Sequence, residues 1–195
     1  MTVGTGRLTP PAEEDWTSEQ RRAADLIAAG PRGSLLGPFV PLLHSPELMT
    51  RLQLVGEYLR FQKVLDDDLL EVVILTVARH WDQQFEWGFH QPLAIRVGVP
   101  QSVTDEIQTG ERPSTGRDEL ALVWDATQAL LVQGRLDDDV YQELSGMGPR
   151  AVVELIATVG YYTALALVMN VARTPAPEGA PALTVNMGAA GDDDR

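Results

Sequence analysis

Residues 65–81 read LDDDLLEVVILTVARHW, and Leu70, Val73, Ile74, Val77 and Ala78 fall on one side of a 3.6-residue repeat. A strand would need alternation instead. Nearly every periodic segment of the chain repeats this helical pattern, and the punctuation between segments is of the helix type. Residues 17–29 open on Thr17 as N-cap and stop before GPRG. Ser45, Pro46 and Glu47 supply an N-cap, an N1 proline and an acidic first turn for a helix of about four turns through Arg60. VGVPQSVTDEIQTG gives a glycine stop followed by a short helix from Pro100. Residues 117–133 form a longer amphipathic helix ending at Gly134, RLDDDVYQEL opens another, and 149–172 is an almost wholly apolar one. LDDD occurs twice, at 65–68 and 136–139. Acids favour the dipole of a first turn, so the repeat reads first as a shared start signal and only second as a remnant of duplication. The predicted fold class is all-α.

With 195 residues and 44% hydrophobic content, the chain suffices for one well-buried domain, assigned to residues 1–175. Proline, alanine and glycine without periodicity dominate from Thr174, so 176–195 is predicted to be a flexible or partner-wrapping tail. The apolar stretch 151–172 contains Glu154, Gly160 and Asn170 and has no basic flank, which favours a core helix over a membrane span. Residues 1–16, MTVGTGRLTPPAEEDW, contain no apolar h-region, so the expected location is cytoplasmic.

Several function classes fall away on composition. Without cysteine there is no disulfide, thiolate nucleophile or redox relay. A net charge of −13 opposes binding to nucleic acid or to anionic lipid. Lys63, the one lysine against fourteen arginines, lies beside a run of acids that keeps its ammonium charged, which disfavours Schiff-base chemistry. GxGxxG, Walker A and GxSxG motifs do not occur.

The chemistry-bearing segment is HWDQQFEWGFHQP, residues 80–92. Glu86 and His90, four apart, share one helix face, which Leu93, Ala94 and Val97 continue as a core stripe. A carboxylate turned inward must be paired, hydrogen-bonded or protonated, and burial moves it toward the range useful for general acid and base work. Pro92 cannot donate to the carbonyl of Gly88 if the helix runs through it. The spacing alone leaves three roles open: a proton-transfer pair, part of a metal site, or a local pair stabilising the helix by about 0.2–0.5 kcal/mol. For metal, His80, Asp82, Glu86 and His90 are ligand types. Read as one helix, however, the segment places His80 and His90 on different faces, and no HExxH motif completes a site.

GPFVPLLHSPEL, YLR, EVVILTVARHW, EWGFH and VVELIATVGYY resemble, in order and spacing, the carboxymuconolactone decarboxylase family, whose superfamily includes the alkylhydroperoxidase D type. The resemblance covers roughly residues 7–175 and is specific only in aggregate. It implies an alkylhydroperoxidase D-like helical bundle around an antiparallel helical hairpin. It also implies a homo-oligomer, trimeric or hexameric with a dimer also compatible, with sites near subunit contacts. The peroxidase branch carries a glutamate nineteen residues before a histidine, matched by Glu71 and His90, while Gln83 and Glu86 stand where its CxxC cysteines would be. The decarboxylase-like branch carries an ExxxH motif, matched by Glu86, Trp87 and His90. The chain thus resembles the cysteine-free branch.

The resemblance implies a small-molecule substrate, no cofactor and no metal. The type reaction removes carbon dioxide from an unsaturated lactone acid, leaving an enolate that must be stabilised and protonated. On that basis His90 is assigned as proton donor or polarising group, Glu86 as its acid/base partner and Glu71 as the orienting carboxylate. Arg60 or Arg79 is assigned to an anionic substrate, with Trp87 and Tyr161 as further substrate contacts. Phe85 and Phe89 are expected in the core, and Tyr162 as the structural member of the tyrosine pair. Two other classes stay open: a non-catalytic helical oligomer serving as binding or scaffold protein, and a metal-assisted hydrolase.

Overall fold

The structure, a computed structural model, describes residues 7–114 and 116–184. Among these the fold is all-α, with no strand. The helices are α1 (Ser18–Ala29), α2 (Phe39–Leu42), α3 (Pro46–Phe61), α4 (Asp67–His80), α5 (Gln84–Arg96), α6 (Gln101–Thr109), α7 (Asp118–Gln133), α8 (Asp138–Ser145) and α9 (Pro149–Ala172). Thr17 caps α1 through a capping box with Gln20, as the sequence predicts. Ser45 precedes the Pro46 start of α3, but its side chain makes no capping bond.

α4 is the axis of the molecule. It packs against α5, α6, α7 and α9, and every residue from Asp68 to Arg79 is buried. The five-residue stripe expected from periodicity is thus only part of its apolar surface. Leu69, Val72 and Leu75 fill the other faces, and a helix apolar all round belongs inside. α9 is long and apolar enough to cross a membrane by length and composition, yet more than half of its apolar window is buried within the fold. Its Glu154 is held by Tyr58, Arg150 and the backbone N–H of Val64, which satisfies the one carboxylate in the helix.

Residues 80–92 are not one helix. α4 ends at His80, the chain turns through Trp81, Asp82 and Gln83, and α5 starts at Gln84, so His80 and His90 lie on separate helices. Asp82 takes a left-handed φ of 47°, within the range that an aspartate tolerates, and pairs with Arg79. Gln83 fixes the start of α5: its Oε1 accepts from the N–H of Phe85 at 2.6 Å and of Glu86 at 3.0 Å. The Gln83 Nε2 donates to Asn170 Oδ1 on α9, while Asn170 donates to the Trp81 carbonyl. Gln83 is therefore the cap of the hairpin.

The expected mobile or partner-wrapping tail behaves differently as far as Thr184. Gln84 brackets Leu183, donating to its carbonyl at 3.0 Å and accepting from its N–H at 3.1 Å, and Gln108 donates to the Ala182 carbonyl. Leu183 is itself part of the core. This strap crosses α5 at Gly88, where a Cβ would stand 2.7 Å from that of Ala180. Residues 185–195 lie outside the described residues.

Candidate active site

The α4–α5 hairpin brings the three predicted titratable groups together. Glu71 points from α4 and His90 from α5, and Glu71 Oε2 lies 2.7 Å from His90 Nδ1. The second ring nitrogen, Nε2, faces Glu86 Oε2 at 3.3 Å, one turn back along α5. All three side chains are buried. A carboxylate oxygen at Nδ1 accepts when that nitrogen carries the ring proton, and Nε2 is then turned toward Glu86. Burial raises the Glu86 carboxyl above its ordinary value near 4.5, opposed by His90, Arg60 and Arg32. Desolvation thus favours the proton-bearing form of Glu86, which stands beside Nε2 of the imidazole.

A cavity of about 250 Å3 opens onto this pair. Glu86 and His90 line it, together with Arg32, Arg60, Phe85, Phe89 and Tyr162, while Glu71 stands behind the imidazole. Tyr162 meets His90 edge to face, with ring centroids 5.5 Å apart at 90°, and burial pushes its phenol well above the usual range. Phe85 and Phe89 stack nearly parallel along one wall. The other wall comes from the glycine- and proline-rich segment before α2, which reads as a plain crossing in the sequence. Gly37 lets it approach: its φ is +56°, and a Cβ would stand 2.4 Å from the Phe85 ring. Beyond Leu36 and Phe85 lies a second cavity of about 520 Å3, larger but without an acid/base pair.

The remaining predicted contacts divide. Arg60 lines the cavity, its guanidinium 5.4 Å from the Phe61 ring centre and 6.0 Å from that of Phe89. Arg79 does not: it is buried at the closed end of the hairpin, paired with Asp82. Trp87 is 1% exposed and belongs to the core, on the face of α5 away from the cavity lining. Of the two tyrosines, Tyr162 takes the cavity position; Tyr161 directs its hydroxyl toward Gly56 and Arg32. Arg32 itself escaped sequence reasoning because it sits in a segment with no periodicity to assign its direction. Residues 161 and 162 are neighbours about 100° apart on a helix apolar all round, so no polar face distinguishes them.

Glu71 and Glu86 approach opposite nitrogens of one ring, and no group of three or more His, Asp or Glu among the described residues is arranged to hold a metal ion. No protein-family model matches this chain, and no curated protein matches it.

Proposed function

We propose that this cavity is the active site of a cofactor-independent acid/base enzyme of the carboxymuconolactone decarboxylase-like kind, a lyase or isomerase. One observation carries the reading: an imidazole held between two buried carboxylates, of which only Glu86 shares the cavity with it. Two carboxylates in unlike environments become an acid and a base. Here Glu86 and Nε2 of His90 exchange a proton with the ligand, and Glu71 orients the ring. The step they serve adds a proton to, or takes one from, a carbon conjugated with a carbonyl. Loss of carbon dioxide, double-bond migration and lactone opening or closure all contain it. Phe85, Phe89 and Tyr162 keep the site apolar, which strengthens the field acting on a developing enolate.

The proposal includes a cytoplasmic homo-oligomer. Its support is apolar side chains left exposed on α3 and α9, with Leu54 at 59% and Val153 at 65%. Light scattering in solution measures the assembly.

The functional test is an untargeted comparison of metabolites in strains with and without the protein, followed by assays of His90→Ala and Glu86→Gln on whatever accumulates. Loss of about 100-fold or more in kcat in both variants is expected. Full activity in both removes the assignment and leaves the non-catalytic oligomer.

A further inference from the structure

We infer that Arg32, together with Arg60, forms an oxyanion seat in the cavity, so that the ligand is a small organic acid held by its carboxylate or phosphate group. This deepens the active-site reading and rests on it for the identity of the reacting end.

The first observation is a guanidinium without a counterpart. Nε and Nη2 of Arg32 are shielded from solvent and have no hydrogen-bond acceptor among the described residues. Its side chain folds inward over the Phe39 ring, 4.8 Å from the ring centre. A buried donor left unmade is costly, and more so when charged. A surface arginine in a chain with 28 acidic residues would find a carboxylate without difficulty. Arg32 is turned instead toward a cavity that offers it none within hydrogen-bond reach.

The second observation is that this position is built. A Cβ on Gly56, in the middle of α3, would stand 2.5 Å from Arg32 Nη2 and 2.1 Å from the Tyr161 hydroxyl. Only glycine leaves room for both. The Tyr161 hydroxyl is buried and likewise unpartnered. A guanidinium fork therefore stands beside a phenol, and among the described residues neither is in hydrogen-bond geometry with the other or with a further acceptor.

The third is charge. Arg60 lines the same cavity, held between aromatic rings and in no ion pair among the described residues. The carboxylate in the cavity lining is Glu86, which burial favours in its neutral form. The lining therefore carries two fixed positive charges inside a protein whose net charge is −13. An oxyanion satisfies the orphan donors of Arg32 and offsets both charges. Guanidinium matches carboxylate and phosphate geometry, and the aromatic walls suit a flat apolar body attached to it. At about 250 Å3 the cavity admits only a small molecule.

The test titrates isotopically labelled full-length protein with benzoate, phenyl phosphate and methyl benzoate, following amide shifts by NMR. Benzoate or phenyl phosphate is expected to bind at least tenfold more tightly than the neutral ester, and the tighter of the two identifies the anion source. Arg32→Met and Arg60→Met are each expected to remove about tenfold or more of that affinity, with Arg22→Met, on the exposed face of α1, unchanged. Because Arg32 Nε and Nη2 make no internal hydrogen bond, Arg32→Met is expected to fold with an undiminished Tm, while benzoate raises the Tm of the native protein alone. Equal affinity for ester and acid, unchanged anion affinity in Arg32→Met, or failure of that variant to fold would each overturn the seat. His90→Ala separates the two readings. Anion binding kept there with no turnover of any acid leaves the seat and removes the enzyme; turnover of neutral compounds at full rate in Arg32→Met does the reverse.

Discussion

Glu71 and His90 are nineteen residues apart in sequence and 2.7 Å apart in space, joined across the hairpin that Gln83 caps. The bond ties the helix that forms the molecular axis to the helix that carries the cavity-facing acid and base. Glu71 has no place in the cavity lining, so under the proposed function it acts through the imidazole as a positioning residue. Glu71→Gln keeps an acceptor near Nδ1 but replaces the carboxyl group with an amide. We expect kcat on the eventual substrate to fall by about 100-fold with KM little changed. Glu71→Ala leaves the buried Nδ1 of His90 without its partner, and urea unfolding is expected to register a loss of about 1–3 kcal/mol. Equal kcat in native and Glu71→Gln protein would show the contact to be structural only.

The pH dependence of stability isolates Glu86. Its carboxyl is raised above 4.5 by burial, so between that value and its folded pKa the unfolded chain has released a proton that the native state retains. The unfolded state then binds fewer protons, and this group's contribution to stability falls as pH rises, by at most about 1.4 kcal/mol per pH unit. Glu86→Gln removes the slope. Unfolding free energies at pH 4.5 and pH 7 should therefore show the variant gaining on the native protein at the higher pH. If Glu86 serves as general acid, activity also declines as pH rises through the same window. A variant whose stability tracks that of native protein across this range would contradict the burial argument.

The two arginines assigned to the substrate from sequence separate by a KM and stability comparison. Arg60 lines the cavity, whereas Arg79 holds Asp82 at the hairpin turn with its side chain 9% exposed. Arg60→Ala is expected to raise KM about tenfold or more for an anionic substrate with native-like unfolding. For Arg79→Ala the expectation is the opposite: a drop in unfolding free energy of about 1 kcal/mol, from losing the pair with the exposed Asp82 and the packing of the arginine stem, with KM little changed.

The contrast between these arginines shows what the sequence could convey. The order and most ends of the longer helices were legible because α1, α3, α7 and α9 each carry a run of helical periodicity bounded by a cap, a proline or a glycine, whereas α2 lies in the segment read as a crossing. Glu86 and His90 stood out as a pair through their spacing, which left their role open, and Glu71 entered only through the family resemblance, nineteen residues before His90. What escaped was direction on helices without a polar face. Trp87 and Tyr161 were assigned to the pocket, whereas Phe85, Phe89 and Tyr162 occupy it. The break at Trp81–Gln83 also escaped, because Gln83 ends one helix and starts another by side-chain hydrogen bonds that no cap rule anticipates for glutamine. Arg32 lies in a loop whose path is set by tertiary packing alone.

Gly88 and Leu183 make the last expectation, since they fasten the C-terminal strap to the back of the site. Gly88 lies between Glu86 and His90 on α5, and the strap occupies the space that its missing side chain leaves open. Gly88→Ala removes a helix-weakening glycine, worth up to about 1 kcal/mol in isolation. The same methyl would meet Ala180 at 2.7 Å, an overpacking that costs about 1–3 kcal/mol unless the strap lifts. Lifting withdraws Leu183 from the core and breaks both of its hydrogen bonds to Gln84. Limited proteolysis should then cut within 176–184 in Gly88→Ala faster than in native protein, with α5 itself still protected. Leu183→Ala, which empties the core position without touching α5, is expected to produce the same cleavage and to lose about 2–3 kcal/mol. If Gly88→Ala resists the protease as well as the native chain and unfolds at higher temperature, the strap yields without detaching, and α5 owes its position to the Gln83 cap and the Glu71 bond alone.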